Sequence, residues 1–392
     1  MKIAFLLSRW PVDGGIETVT RTLANEFVSR GHKIYVVYTE YSYPMENGPF
    51  VNEQIVGCLI SKDSNDVQFQ ETAKGYIERL VINEGIEIII NQCYPTWKAE
   101  TLDGVKGRVK IIECLHMTLF YPSSYHRLRW SGYDLKMRLC GPLIYRHFQK
   151  KWRCEALMRE FSFVDRFVFL SRTYVNEFIK FTGYDNTEGK VTFMNNPLSF
   201  PSNKMKDDII CKKENIVLCV ARLSEKEKRV SYMLYVWKGI ESDKRFDDWR
   251  FDIVGDGPSY NDYKNLALSL GLKRVFFHGY QEPTSYYVKS KVSLMTSVAE
   301  GWPMTIIESQ HYGVVPVVMN TFSSVIDIIN NGVNGIIVPK NKKKFLLALK
   351  IIMSNDERRE NMAKAAIKSA MRFNVENIVD KWEQLIDNIR IS

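Results

Sequence analysis

The sequence predicts an α/β protein built from two doubly wound domains with parallel sheets. Short, continuous apolar runs alternate with segments of helical length, which is the pattern of strands covered by helices on both faces. The alternation stops in a segment from 196 to 215, which contains Pro197, Pro201 and several Ser and Lys residues, and then starts again. The length of 392 residues also exceeds what one ordinary core fills, so two domains are expected.

The first half begins with a strand, a helix and a second strand. Residues 2–7 form an apolar run, a glycine-containing loop follows, and residues 16–29 have helical spacing. Gly31 supplies a stop, and residues 34–38 form the next apolar run. Such a unit predicts right-handed parallel pairing of its two strands. Further strands in this half are predicted at 87–91, 109–113 and 166–170.

The second half repeats the pattern, with strands predicted at 216–220, 250–254, 274–277, 292–296 and 314–318. We expect a first domain over 1–198, a linker over 199–214 and a second domain over 215–375, the two facing each other across a central cleft. The last segment, 376–392, has helical spacing and is expected to cross back to the first domain.

The composition is that of a globular protein without a membrane span. Hydrophobic residues make up 45% and charged residues 25% of the chain, and disorder is therefore not expected to dominate. No apolar run approaches the roughly 18 residues that a spanning helix needs, and the N-terminal apolar run is too short for a signal peptide. The seven cysteines form no C-x-x-C pair, so a disulfide framework or a zinc site is not indicated. A reduced, cytoplasmic setting is expected.

The net charge of +9 is concentrated between 125 and 153. This stretch holds one acid, Asp134, and several interleaved aromatic residues. Its basic residues are Arg127, Arg129, Lys136, Arg138, Arg146, Lys150, Lys151 and Arg153. The pattern suits peripheral contact with an anionic membrane on its cytoplasmic face. A solvated helical face is the alternative, and no nucleic-acid-binding motif is present elsewhere, so a nucleic-acid partner is not expected.

Two glutamates eight positions apart, Glu300 and Glu308, are the most informative pair in the chain. A predicted strand precedes Glu300, Pro303 fixes φ in the first helical turn, and Gly313 offers a left-handed stop. Free backbone N–H groups between the two carboxylates form an anion site at the positive end of the helix dipole. A diphosphate there, with one carboxylate on a sugar hydroxyl and the other on a ribose, would make a nucleotide-sugar site. Two solvated acids on an ordinary helix are the simpler alternative.

Two cations follow the first predicted strand of the second half. Arg222 lies at the carboxyl end of that strand, where open α/β sheets bind ligands, and Lys228 lies six residues further on. Arginine can bind a diphosphate as a fork and lysine as a point charge. A surface ion pair would give the same local sequence.

Four further segments follow predicted strands. In the first half, Gly14, Gly15 and Glu17 lie in the loop that opens the first helix, and His116 lies just after the strand at 109–113. In the second half, two glycine-containing turns occupy 254–258 and 277–280. Glycines in such turns allow the backbone to come close to a ligand or to another loop.

Taken together, these motifs resemble those of retaining glycosyltransferases of family 4, which have the GT-B fold. The run at 299–308 is similar to the family's E-x7-E motif, and 221–228 is similar to its G-R-L…K element. Ala221 replaces the usual glycine there, and Arg229 stands where glycine is common. The segments 14–17, 254–258 and 196–197 match the family's G-G-x-E, G-x-G-P and Asn-Pro elements. The resemblance spans nearly the whole chain and is strongest from about 215 to 340.

The resemblance implies a hexosyltransferase of the kind that builds surface polysaccharides. It would move a sugar from a UDP- or GDP-linked donor to a glycan or lipid-linked acceptor, with retention at the anomeric carbon. The implied catalytic residues are Glu300, His116, Arg222 and Lys228. The implied donor-binding residues are Glu308, Arg222, Lys228, Gly301, Met304, Thr305, Gly279 and Tyr280. The implied acceptor or phosphate loop contains Gly14, Gly15 and Glu17.

No cofactor or metal is expected, because no D-x-D motif stands at a strand end and the cations named above can meet the charge of the diphosphate. Closure of the two domains would bring donor and acceptor within reach. Two alternatives stay open. A nucleotide-sugar epimerase of the same architecture would turn over the donor without an acceptor, and a non-catalytic binding or scaffold protein would keep the fold without activity.

Overall fold

The computed structural model describes residues 1–11, 14–41, 50–60, 66–93, 96–118, 151, 155–200 and 209–391. The chain divides into two compact units. The first consists of Met1–Ser199 together with Val375–Ser392, and the second is Phe200–Asn374. Each unit contains one parallel sheet and its own apolar core. The predicted class, α/β with two Rossmann-like units, is confirmed.

The first unit contains a seven-stranded parallel sheet in the order β3-β2-β1-β4-β5-β6-β7. Its strands are β1 (Lys2–Trp10), β2 (Lys33–Tyr41), β3 (Val56–Leu59), β4 (Ile88–Asn91), β5 (Lys110–Leu115), β6 (Arg166–Phe169) and β7 (Val191–Phe193). The order of the strands reverses between β1 and β4. In open α/β sheets such a switch point, at the carboxyl ends of the strands, is where ligands bind.

The second unit contains a six-stranded parallel sheet in the order β10-β9-β8-β11-β12-β13. Its strands are β8 (Glu214–Val220), β9 (Arg250–Val254), β10 (Val275–Phe277), β11 (Ser290–Met295), β12 (Val315–Met319) and β13 (Ile336–Val338). Here the order reverses between β8 and β11. These two strands precede the loops that carry Arg222, Lys228 and Glu300.

The α-helices cover the two sheets and are numbered along the chain. They are α1 (Gly15–Ser29), α2 (Asp66–Glu84), α3 (Arg172–Thr182), α4 (Val230–Glu241), α5 (Tyr260–Ser269), α6 (Thr284–Lys289), α7 (Met304–His311), α8 (Val325–Ile328), α9 (Lys342–Ser354), α10 (Asp356–Ala370) and α11 (Val375–Ile391). Residues 155–163 are also helical.

The C-terminal helix α11 packs on the first unit although it follows the second unit in sequence. Its buried residues, Ile378, Val379, Trp382, Ile386 and Ile389, repeat at helical spacing along one face. Arg30, at the end of α1, lies 2.6 Å from Asp380 and 2.8 Å from Glu383. Apolar burial and ion pairs therefore both hold this helix against α1.

The structure differs from the sequence predictions in a few places. The strands β3, β7 and β13, of three or four residues each, were not predicted. Strand β8 begins at Glu214, which was placed in the linker. Pro303 occupies the N-cap of α7 and not its first turn. The basic stretch 125–153 lies outside the described residues, except for Lys151.

Candidate functional site

The candidate site of the second unit lies at the switch point of its sheet. Strands β8 and β11 are parallel neighbours, so the loops that follow them leave the same edge. The loop after β8 carries Arg222 and Lys228, and the loop after β11 carries Glu300. Since helices cover the faces of such a sheet, this edge is where a ligand can approach the backbone.

Hydrogen bonds lock the two loops together. The single hydroxyl hydrogen of the fully buried Thr296 is shared between the carbonyl oxygens of Lys228 at 3.1 Å and Arg229 at 2.9 Å. The backbone N–H of Val298 donates to the carbonyl of Glu227 at 2.7 Å. The position of Lys228 is therefore set by the loop after β11 as well as by its own loop.

Arg229 adopts a left-handed backbone conformation with φ of 51°. It is the only non-glycine residue with positive φ in the described part of the chain, and it is the N-cap of α4. Left-handed backbone disfavours residues that carry a Cβ. The sequence already marked this position as one where the family commonly has glycine, and the left-handed turn gives the physical reason.

Lys228 and Glu300 form an ion pair. The Nζ of Lys228 lies 2.6 Å from Oε1 of Glu300, and the two side chains are 24% and 13% exposed. A lysine ammonium has three donor hydrogens, and this carboxylate oxygen uses one of them. The cation can therefore hold Glu300 and a second acceptor at the same time.

Helix α7 carries Glu308 in its second turn. Pro303 caps the helix with φ of −74°, and Gly313 ends it in the left-handed region with φ of 65°. Glu308 is partly buried, and its Oε2 accepts a hydrogen bond from the hydroxyl of Tyr287 at 2.9 Å. Three further predicted donor-binding residues lie just ahead of α7 or in its first turn and are partly exposed: Gly301, Met304 and Thr305.

A glycine turn after β9 supports the loop that holds Arg222. A Cβ on Gly255 would lie 1.9 Å from the carbonyl oxygen of Ala221, and one on Gly257 would lie 2.6 Å from that of Leu223. The N–H of Leu223 donates to the carbonyl of Asp256 at 2.8 Å. These positions need glycine because two loops approach each other backbone to backbone.

The other predicted donor residues of this unit are exposed or partly exposed. Arg222 is exposed and has no side-chain partner among the described residues. Tyr280 is 60% exposed, and Gly279 before it has φ of 69°. The ring of His278, in the turn after β10, packs against that of Tyr286 with centroids 4.8 Å apart.

In the first unit, the glycine loop leads directly into α1. Gly14 is the N-cap, and its carbonyl accepts from the N–H of Thr18 at 2.9 Å. Glu17 is buried, and its Oε1 pairs with Nη2 of Arg9 at 3.3 Å. A Cβ on Gly14 would overlap this carboxylate, because it would lie 2.2 Å from Oε2 of Glu17. Gly15 is exposed and meets no such neighbour.

His116 follows β5, and Gln92 follows the neighbouring strand β4. The Nε2 of His116 is hydrogen-bonded to Oε1 of Gln92. Burial lowers the pKa of His116 to about 4, so the imidazole is neutral at neutral pH. With Gln92 as the acceptor, the single N–H of the neutral ring is at Nε2 and Nδ1 is left as an acceptor.

Three residues that hydrogen-bond to candidate site residues were not identified from the sequence: Thr296, Gln92 and Tyr287. Each acts through a contact with a residue distant in sequence, and such contacts leave no local pattern. Within the described residues, no group of three or more His, Cys, Asp or Glu side chains is placed to hold a metal ion. The same residues contain no helix long and apolar enough to cross a membrane.

Two family models match the chain, and the boundary between them lies close to the boundary between the two compact units. The model described as Glycosyltransferase Family 4 matches residues 13–198, and the model described as Glycosyl transferases group 1 matches residues 202–369. The two matches follow one another and leave little of the chain outside them. The chain belongs to the family-4 glycosyltransferases.

Relatives with curated names come from bacterial polysaccharide synthesis. A Campylobacter jejuni protein is 25% identical over 209 residues, which are 53% of this chain and 57% of that protein. It is named a GalNAc-α-(1→4)-GalNAc-α-(1→3)-diNAcBac-PP-undecaprenol α-1,4-N-acetyl-D-galactosaminyltransferase. The amylovoran biosynthesis glycosyltransferase AmsD of Erwinia amylovora is 27% identical over 184 residues, 46% of this chain and 50% of that protein. The chain thus spans between half and two thirds of the length of these relatives.

Solved structures share the fold over the full length. The structure of Anabaena HepE in complex with UDP and glucose has a TM-score of 0.71 and 16% sequence identity, and the alignment covers 99% of this chain and 100% of that one. At this identity the likeness shows the fold alone. It confirms the GT-B class predicted from the motifs.

Proposed function

We propose that this protein transfers a sugar from a nucleotide-sugar donor to a glycan or lipid-linked acceptor, with retention at the anomeric carbon. The observation that carries the proposal is the ion pair of Lys228 and Glu300, which lies at the switch point of the second sheet and just ahead of α7. A cation and a carboxylate in contact at the N-terminus of a helix suit a ligand that has both a diphosphate and hydroxyl groups.

In this proposal the diphosphate binds at the N-terminus of α7. Backbone N–H groups of Met304 and Thr305 point out of the first turn, where they have no partner within the helix. Lys228 donates to the diphosphate while it keeps its bond to Glu300, and Arg222 adds a second cation. Gly279 and Tyr280 lie beside the base. The HepE structures, which share this fold, contain UDP or UDP-glucose, so UDP is one of the two nucleotides to test.

The two carboxylates have different roles. Glu308 accepts hydrogen bonds from the ribose hydroxyls. Glu300 accepts from a hydroxyl of the donor sugar and stabilises positive charge that develops near the ring. Because Lys228 holds one oxygen of Glu300, the carboxylate is oriented before the donor arrives, and such preorganisation is the main source of electrostatic catalysis.

The reaction breaks the bond between the anomeric carbon and the diphosphate oxygen. The acceptor oxygen bonds to that carbon on the same face, and the acceptor proton passes to an oxygen of the departing phosphate. The products are the glycosylated acceptor and the nucleoside diphosphate. No side chain acts as a covalent nucleophile in this scheme, and Arg222, Lys228 and the end of α7 meet the charge that leaves with the diphosphate.

The first unit supplies the acceptor side and one contact to the donor sugar. We assign the loop of Gly14, Gly15 and Glu17 to the acceptor or a phosphate. His116, which is neutral, helps to position the donor by hydrogen bonding. The basic stretch 125–153 contacts an anionic membrane on its cytoplasmic face, which would suit a lipid-linked acceptor. Failure of the protein to bind anionic vesicles at low salt would contradict that last assignment.

The function is tested by incubating the protein with a set of UDP- and GDP-sugars and a bacterial lipid extract. Release of the nucleoside diphosphate should require the extract, and proton NMR of the product should show the anomeric configuration of the donor. Inversion would contradict the retaining mechanism. Turnover of a donor to its epimer without extract would favour the epimerase. Nucleotide binding without any turnover would favour the scaffold.

A further inference from the structure

Tyr287 lies in α6 and is fully buried, with 0% of its surface exposed. Its ring stacks on that of Tyr312, with centroids 5.7 Å apart and planes inclined by 4°. The ring of Phe200 packs edge-on against both, at 6.4 Å from Tyr287 and 5.4 Å from Tyr312. The packing of these three rings restricts the orientation of the Tyr287 ring and with it the position of the Tyr287 hydroxyl.

The backbone of Tyr287 is held as firmly as its ring. Lys213, which is 9% exposed, donates from Nζ to the carbonyl oxygens of Tyr287 at 2.9 Å, Val288 at 3.3 Å and Ser290 at 2.8 Å. The last carbonyls of a helix have no hydrogen-bond donor within it. The ammonium of Lys213 donates to three such carbonyls at and just beyond the C-terminus of α6. The backbone of α6 at Tyr287 cannot move without breaking these bonds.

The hydroxyl of Tyr287 donates to Oε2 of Glu308 at 2.9 Å. Burial and the nearby Glu308 carboxylate raise the pKa of Tyr287 well above its usual value, so the phenol keeps its proton and acts as a donor. Glu308 is partly exposed, and its carboxylate would turn about its last side-chain bond if nothing held it. The bond from Tyr287 restrains the rotation of that carboxylate.

A carboxylate has about four lone-pair directions, of which Tyr287 occupies one. Two adjacent hydroxyls, as on a ribose, can bind both oxygens only when the carboxylate plane faces them. We infer that Tyr287 is a positioning residue that aims Glu308 at the two ribose hydroxyls and thereby sets the preference of the site for ribose over 2′-deoxyribose nucleotides. This inference rests on the proposed role of Glu308 in donor binding.

The test compares UDP with 2′-deoxy-UDP, and GDP with 2′-deoxy-GDP, by calorimetric titration of wild type, Tyr287→Phe and Glu308→Ala. Phenylalanine keeps the ring and its stacking, so the change removes only the hydroxyl. The wild type should prefer the ribose form by roughly 10-fold to 100-fold, the range for a hydrogen bond to a charged group. Tyr287→Phe should lose most of this preference. A merely structural role would weaken both forms equally and leave their ratio unchanged.

Tyr312→Phe is the matched control. It removes a hydroxyl from the other stacked ring, and that hydroxyl interacts with Thr284. Its ribose preference should equal that of the wild type. The double variant Tyr287→Phe/Glu308→Ala should behave like Glu308→Ala alone, because a positioning residue has no effect once its target is gone.

The outcomes separate this inference from the proposed function. If Glu308→Ala loses the ribose preference while Tyr287→Phe retains it, Glu308 binds ribose and Tyr287 does not position it. If Glu308→Ala binds both forms as the wild type does, the assignment of Glu308 is wrong and the inference is overturned with it. Equal effects of Tyr287→Phe and Tyr312→Phe on the ratio would also overturn it.

Discussion

The Nζ of Lys228 lies 2.6 Å from Oε1 of Glu300, although 72 positions separate the two residues in the chain. Their contact follows from the order of the strands in the second sheet. Because β8 and β11 are neighbours, the loops after them meet, and the hydroxyl of the buried Thr296 joins them by sharing its hydrogen between two carbonyl oxygens. In our proposal this pair links the diphosphate to the donor sugar, and it leads to the first prediction.

Replacing either cation of the site should slow sugar transfer without unfolding the protein. We expect Lys228→Ala and Arg222→Ala each to lower turnover by about 100-fold, or about 3 kcal/mol in the barrier, since each removes a preorganised contact to the leaving group. The measurement is the rate of nucleotide release at saturating donor. Lys226→Ala is the control, because it removes the same charge from an exposed position in the same loop. Equal rates in Lys226→Ala and Lys228→Ala would contradict the proposed role of Lys228.

Arg229 should be replaceable by glycine with a gain in stability. Its left-handed backbone, with φ of 51°, strains a residue that has a Cβ, and glycine is free of that strain. We expect Arg229→Gly to raise the free energy of unfolding of the second unit by about 1 kcal/mol in urea titrations. Arg229→Ala loses the same side chain but keeps the strain, so it should show no such gain. A similar gain in both variants would mean that the guanidinium, and not the backbone, is the source of the strain.

Gly255 should tolerate no side chain. Its φ is 134°, and a Cβ would lie 1.9 Å from the carbonyl oxygen of Ala221. We expect Gly255→Ala to lower the free energy of unfolding by about 3 kcal/mol or more, from backbone strain and overlap together. Gly271 also has positive φ, at 70°, but a Cβ there meets nothing within 4 Å. Gly271→Ala should therefore cost only about 1 kcal/mol. Equal losses in urea titrations would show that the loops can separate.

The stability of the first unit should fall in mild acid because of His116. Burial lowers its folded pKa to about 4 from the usual 6.5, so between these values the unfolded chain binds a proton that the folded protein does not. The free energy of unfolding therefore decreases as pH falls through this window. His116→Asn removes the titrating group, and its stability should decrease less over the same window. Parallel curves for the two proteins in urea titrations at several pH values would contradict this assignment.

The sequence predicted those strands and helices whose residue pattern is visible within a few consecutive positions. Continuous apolar runs of five residues predicted strands such as β8 and β12, which the structure contains with small shifts at their ends. Pro303 and Gly313 predicted a helix that starts just after Glu300 and contains Glu308, and α7 begins and ends within a residue or two of that expectation.

What the sequence did not predict depends on contacts between distant residues. The bonds from Tyr287 to Glu308 and from His116 to Gln92 join segments 21 and 24 positions apart, and no local spacing encodes them. The left-handed turn at Arg229 was missed for another reason. An arginine gives no sign of positive φ, and only the departure from the family's glycine indicated that this loop was unusual.

The central claim is that the second unit binds the nucleoside diphosphate of a sugar donor through α7 and the loop after β8. Calorimetric titration of UDP and GDP in the presence of a chelator, against wild type and Glu308→Ala, tests it most directly. We predict that one nucleotide binds the wild type and that its affinity falls by about tenfold or more in the variant, as loss of a charged hydrogen bond requires. Absence of binding by both nucleotides, or equal affinity in the two proteins, would contradict the claim.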